Sequence, residues 1–359
     1  MEVLALVPSI YDTSPGQRYR IEQWQGRLQQ LGIEITFAAF EDQNLNSVLY
    51  SRKHWVRKGM RIGKAFIRRL STITRSELYD LVYVFREASL LGPSIFERLI
   101  RLRHVPLVFD FDDAVFLPYR SPSNGWFSLL KAPAKTGTIC RLASQVMVGN
   151  NYLAEYARRF NQNVTVIPTT IDTDTYRLQP VRDAALPVIG WTGSYSTVPH
   201  LNLLRSTLSE LAKRERFRIR VIGPPNCEIK GIDVEVLPWR SHSEVQDLAA
   251  IDIGIMPLPD DPWSRGKCGC KALQYMGLGI PAVCSPVGVN ADLIRDGENG
   301  FLANSTDEWI GKLTLLLRLP ELRRKLGLAG RKTVEERFSA SSQVPRVHEV
   351  FRSAIGASG

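Results

Sequence analysis

A chain of 359 residues is long for a single core and predicts two domains, and 44% hydrophobic with 23% charged residues excludes a disordered or fibrous protein. No apolar run approaches the ~18 residues that span a bilayer, and the opening MEVLALVPSIYD, with an acid in second place and no basic lead, reads as a first core strand rather than a signal peptide. The net charge of +10 is local: no acid occurs between Asp42 and Glu77, where Arg52, Lys53, Arg57, Lys58, Arg61, Lys64, Arg68, Arg69 and Arg75 all fall.

A strand predicted over 2–7 is broken by Pro8. The loop Ser14-Pro15-Gly16-Gln17-Arg18-Tyr19-Arg20 leads into an amphipathic helix ending near Leu31, with Gly32 as its stop, and 33–38 is the next strand. This βαβ opening predicts a doubly wound parallel sheet. Strands follow over 81–85 and 106–111 around a helix over 94–103, then over 145–148 and 164–167 around a helix begun by Asn150. Polar, proline-bounded residues through Pro187 read as a linker. A second series starts at 188–191 and runs through a Leu-rich helix (Leu201, Leu204, Leu208, Leu211), strands over 218–222 and 234–236, and a helix near 243–250. Two consecutive α/β series predict two Rossmann-like domains.

The stretch 253–288 organises the second series. A short apolar run ends in Pro257 and Pro259, a loop carries Arg265, Gly266, Lys267 and Gly269, and a short helix pattern runs from Cys270 to Met276 before a buried strand over 281–285. Backbone N–H groups at such a helix start have no intrahelical partner and favour an anion. Lys267, Lys271 and Gln274 share one helix face by spacing, which suits a diphosphate carrying a sugar. Five cysteines of mostly unrelated spacing suit a reducing cytoplasm, and Cys268-x-Cys270 with Cys284 lacks the paired spacing of a metal site, so no metal is expected.

This segment, with Ser285-Pro286-Val287-Gly288 and Asp296-Gly297-Glu298-Asn299-Gly300-Phe301-Leu302, resembles the donor-site region of GT-B glycosyltransferases of the family 4, group 1 type, in particular a bacterial surface-polysaccharide subgroup. The resemblance implies two facing Rossmann-like domains with a cleft between them. Residues 1–175 would bind the acceptor, 176–338 the nucleotide sugar, and a helix over 339–356 would cross back to the first domain. The family's Glu-x7-Glu pair falls on Gly266 and Gln274, so both carboxylates are missing; Gln274 is left to hydrogen-bond a ribose, and sugar recognition passes to Asp260, Asp261 or Arg265 as candidates. Gly190-Trp191-Thr192-Gly193-Ser194 resembles the family's first donor-domain turn, with Ser194 where an arginine is usual, so that the cations on the diphosphate become Arg265, Lys267 and Lys271. Gly223 closes the strand where the family's base sits. On the first domain Asp112 and Asp113 occupy the positions of a His-Asp pair and are the candidate catalytic residues. Gly16 lies at a glycine loop that lets a diphosphate or acceptor approach, and Arg18 and Arg20 are candidate acceptor clamps.

The function implied is a retaining transfer of a sugar from a nucleotide-diphosphate donor to a hydroxyl of a glycan or lipid-linked acceptor, without cofactor or metal. Asp110-x-Asp112 also matches the metal-binding Asp-x-Asp of the other large glycosyltransferase fold. Sugar-nucleotide epimerisation is a second reading, and a non-catalytic partner subunit, motivated by the missing Glu pair, a third.

On a helical wheel, Arg52–Leu70 segregates into Trp55, Val56, Met60, Ile62, Phe66, Ile67 and Leu70 on one side and Lys53, Arg57, Lys58, Arg61, Lys64, Arg68 and Arg69 on the other. Its acid-free basic face, with Arg57, Lys58, Arg61, Lys64 and Arg68, is expected to meet an anionic membrane surface, placing a cytoplasmic enzyme peripherally at the inner leaflet beside a polyprenyl-diphosphate-linked acceptor. Aromatics are not interleaved through that face, and nucleic acid is not expected.

Overall fold

A computed structural model of the protein describes residues 1–49, 55–118, 132–179 and 186–356. The chain divides into two compact units, Met1–Pro168 with Gln343–Gly359, and Thr169–Ser342. The division falls after 168 rather than after 175. Ile171 pairs with Ser339 and its N–H donates to the Phe338 carbonyl, which ties the start of the linker to the second unit.

The first unit is built on a parallel sheet of β1 (Glu2–Val7), β2 (Glu34–Ala39), β3 (Leu81–Phe85), β4 (Leu107–Phe111), β5 (Gln145–Val148) and β6 (Val164–Val166). Their spatial order is β2-β1-β3-β4-β5-β6, with Val3 opposite Ile35 on one side and Leu81 on the other. β3 and β4 are buried along their whole length, as strands covered on both faces by helices must be. The predicted first helix is present but interrupted: a turn at Pro15–Gln17 and a π-helical turn at Arg18–Glu22 precede the regular helix Gln23–Gln30. Arg20 leaves helical geometry there (φ −116°, ψ −114°), and Gly32 follows with φ +78°. The last helix, Ala340–Gly356, brings Phe351 against Tyr83 at 5.9 Å between ring centroids, in the core of this unit.

The second unit repeats the design with β7 (Val188–Thr192), β8 (Arg218–Ile222), β9 (Val234–Leu237), β10 (Ile253–Met256), β11 (Ala282–Cys284) and β12 (Phe301–Leu302), in the order β12-β11-β10-β7-β8-β9. Trp191, Leu208, Ile219, Ile255 and Leu313 join one buried core. Two further helices, Thr306–Arg318 and Pro320–Arg337, which the sequence reading does not contain, complete it. In doubly wound sheets ligands gather beyond the carboxyl ends of the strands where the strand order reverses. Those points are β1/β3 in the first unit and β7/β10 in the second, and each unit's candidate site residues lie near its own point.

Candidate active site

In the second unit, β7 delivers Gly193 and Ser194, then a short helix, Val198–Asn202, carrying His200. Gly193 and Gly223 lie back to back: a side chain on Gly223 would meet the Gly193 carbonyl at 2.0 Å, so this close approach of two strand ends admits only glycine. From β10 the chain enters Pro262–Arg265, capped by Asp261, whose carboxylate accepts from the Ser264 N–H at 2.7 Å. Gly269, left-handed at φ +70°, then starts the helix Cys270–Gly277. The hydroxyl of Tyr275 accepts from the Thr192 N–H at 3.1 Å and fixes this helix on β7.

The cations predicted for a diphosphate divide in two. Arg265 is held by Asp260 through two hydrogen bonds of 2.7 and 3.1 Å. Lys267 lies over the Trp263 ring at 5.6 Å and Lys271 over Trp191 at 5.5 Å. Both lysines act on His200: burial first, then repulsion from Lys271 and Lys267, pushes its imidazole down to about 4, with Asp261 opposing. Its Nδ1 is buried without a hydrogen-bond partner among the described residues. His200 was not anticipated, because its distance of roughly 70 residues from the lysines is closed only by sheet topology.

Gln274 is buried, and its amide nitrogen donates to Glu244 at 3.0 Å. Glu244 also accepts from the Tyr176 hydroxyl at 3.0 Å and the Trp239 indole at 2.7 Å. The donor group expected to meet a ribose is thus engaged within the protein. Trp239, on the loop after β9, anchors this same cluster. Glu244 places a carboxylate beside the donor helix from another helix, which the missing Glu pair gave no reason to expect.

In the first unit, Asp112 and Asp113 follow β4. Arg86, one residue past β3, joins them: its Nε donates to Asp112 at 2.6 Å and its Nη2 to Asp113 at 3.2 Å. Arg86 is left-handed at φ +57°, its N–H donating to the Asp110 carbonyl at 2.7 Å, a costly backbone for a residue with a side chain. Burial works to raise the Asp112 carboxyl, but the charge and hydrogen bond of Arg86, with Arg20 behind, hold it below the ordinary range. Gly16 sits against this pair, where a Cβ would come within 2.7 Å of the Arg86 guanidinium and 3.1 Å of the Asp112 carboxylate.

Two predicted roles are corrected. Arg20, taken as an acceptor clamp, is fully buried: it binds both Asp110 oxygens and the Ile167 carbonyl and lies 5.0 Å from the Trp24 ring, so it braces β4 from inside. Arg18 stays nearer the surface, paired with Asp12 at 2.6 Å. Asp110, whose carboxylate is occupied by Arg20 and the Tyr83 hydroxyl, is turned inward, which leaves the Asp-x-Asp match without its first ligand. The second correction concerns the basic helix, Trp55–Ile73. Its basic side is not wholly outward. Lys58 and Arg69 are buried; Arg69 donates to the carbonyls of Val7 and Ala38 at 3.1 and 2.8 Å, Arg68 pairs with Asp42 at 2.7 Å, and Arg61 reaches Ser47 at 3.0 Å. Carbonyls at the ends of β1 and β2 need donors, and this helix supplies them. Arg57 and Lys64 remain exposed, while Arg52 and Lys53 lie outside the described residues.

Family models described as Glycosyltransferase Family 4 and Glycosyl transferases group 1 match residues 16–175 and 186–318. Over 89 residues the chain is 36% identical to the Bacillus subtilis protein named "Putative glycosyltransferase EpsD", which covers 24% of this chain and 23% of that one; the chain thus matches about a quarter of that relative's length. Among solved structures, sucrose-phosphate synthase from Thermosynechococcus elongatus superposes with a TM-score of 0.73 at 15% identity, covering 99% of this chain and 100% of its own. HepE from Anabaena in complex with UDP-glucose gives 0.70 at 16% identity, covering 98% and 100%. The chain belongs to the group 1 glycosyltransferases of the GT-B fold.

Proposed function

We propose that the protein is a retaining, metal-independent glycosyltransferase that moves a sugar from a nucleotide-diphosphate donor, with uridine diphosphate sugars the first to test, to a hydroxyl of a lipid-linked glycan in bacterial surface-polysaccharide synthesis. The observation that carries the reading is the convergence of Lys267, Lys271 and His200 at the start of the Cys270–Gly277 helix. Two ammonium groups and the positive end of the helix offset the charge that grows on a leaving diphosphate, the part a metal plays elsewhere. HepE, a fold neighbour, is known in complex with UDP-glucose, which favours the same donor class. The segment shared with EpsD, a protein named as a putative glycosyltransferase, supports sugar transfer as the reaction class.

Asp112, kept ionised by Arg86 and fixed in place by it, is assigned to accept a hydrogen bond from the acceptor hydroxyl and to offset positive charge developing at the anomeric carbon. Turnover of radiolabelled uridine diphosphate sugars, with products separated, tests the whole reading. Transfer to a lipid-linked or glycan acceptor is expected. Epimerised sugar nucleotide, or binding with no turnover in the presence of acceptor mixtures, would select the other two readings.

A further inference from the structure

The outward side of the Trp55–Ile73 helix is apolar. With Lys58, Ile62, Ala65, Arg69 and Ile73 turned inward, Val56, Met60, Ile67 and Leu70 are left 77%, 60%, 72% and 46% exposed. At 100° per residue these four fall on one line along the helix. Single exposed apolar residues are ordinary, but a row of four on one helix is a surface that something covers. Beside the row stand exposed Arg57, Lys64 and Arg75, and the sequence from 43 to 76 holds no acid. The neighbouring helix Ile95–Leu102 also exposes Ile95 and Leu102, with Arg98 and Arg101.

Charge decides the occupant. Two copies joined through this face would set Arg57, Lys64 and Arg75 of one against those of the other. An anionic leaflet offers hydrocarbon for the row and phosphate for its basic flank at the same depth. We propose that this face docks on an anionic membrane, with Val56, Met60, Ile67 and Leu70 entering the boundary between headgroups and acyl chains and Arg57, Lys64 and Arg75 meeting lipid phosphates. This deepens the reading of a lipid-linked acceptor and rests on it for its purpose. It also replaces the contact expected from the sequence, a purely basic face including Lys58, by an apolar row with a basic flank.

Cosedimentation with vesicles of phosphatidylcholine, alone or mixed with phosphatidylglycerol, tests it. The unaltered protein is expected to bind the mixed vesicles only. The Val56→Ser, Met60→Ser, Ile67→Ser triple variant should lose at least about tenfold in partitioning, and Arg57→Glu with Lys64→Glu should lose the preference for phosphatidylglycerol. Nucleoside diphosphate binding without vesicles, unchanged in both variants, shows that they are folded and separates failure of docking from failure of the glycosyltransferase reading. The proposal is overturned if the unaltered protein binds both vesicle types equally or neither. It is also overturned if the folded triple variant binds like the parent, or converts a dimer in vesicle-free solution to a monomer, which would make a second copy the occupant.

Discussion

Replacing Lys271 by methionine keeps the stem over Trp191 and removes the ammonium. A charge-assisted hydrogen bond contributes roughly 1.5–3 kcal/mol, so affinity for a uridine diphosphate sugar should fall about ten- to hundredfold. His200 supplies an internal check. In the unliganded protein burial, Lys271 and Lys267 hold it at about 4, so it is neutral near pH 6. A bound diphosphate offsets the lysines and draws a proton onto the imidazole. Burial, the larger cause of the low value, remains, so proton uptake and tighter binding are expected toward the acid end, as pH falls to about 5. Calorimetry with UDP-glucose, whose diphosphate has no terminal phosphate titrating near pH 6, in buffers of different ionisation enthalpy reads both quantities. In Lys271→Met the unliganded imidazole rises toward its ordinary value, and proton uptake shrinks along with affinity. Affinity unchanged from the parent in both Lys271→Met and Lys267→Met refutes the placement of the diphosphate beside His200.

Asp112→Asn should preserve sugar-nucleotide affinity and lower turnover by about a hundredfold or more; a variant that loses only thermal stability, with normal turnover of its folded fraction, returns Asp112 to a structural ion pair with Arg86. EDTA should leave turnover unchanged, and activity that vanishes with chelator and returns with Mn²⁺ overturns the cationic site. Burial pushes the Glu41 carboxyl up to about 7 from 4.5, so its contribution is present below about pH 4.5 and lost as pH rises through 7. Glu41→Gln should accordingly raise the unfolding midpoint at pH 8, by an amount equivalent to about 3 kcal/mol, and change it little at pH 4; a rise at pH 4 as large as that at pH 8 contradicts this.

The architecture was legible because parallel strands covered on both faces must be apolar throughout, and a short unbroken apolar run such as Leu81–Phe85 fits that setting better than a one-sided strand, which would alternate. The loop before the Cys270–Gly277 helix was legible as a helix start, because glycines there supply the backbone freedom that the left-handed Gly269 uses. The helices Thr306–Arg318 and Pro320–Arg337 went unread, the second because its mean composition is strongly polar. The fate of the arginines was not legible either. A helical wheel counts a guanidinium as outward, yet Arg20 and Arg69 are buried because carboxylate and carbonyl acceptors from β1, β2 and β4 wait inside. Glu244 and His200 reach the donor helix from segments that no local pattern connects to it.

The charges around the two candidate sites bear on the ligand proposed for each. In the first unit the cations nearest β4 are matched to carboxylates, Arg20 to Asp110 and Arg86 to Asp112 and Asp113, so charge there fixes geometry. Such a site can orient a neutral hydroxyl through an ionised carboxylate that accepts its hydrogen bond. In the second unit the field at His200 is positive despite Asp261, since the two lysines outweigh it. An incoming dianion gains from such a field on binding, and a neutral hydroxyl does not. This supports the proposal that the second unit binds the diphosphate and the first unit the hydroxyl.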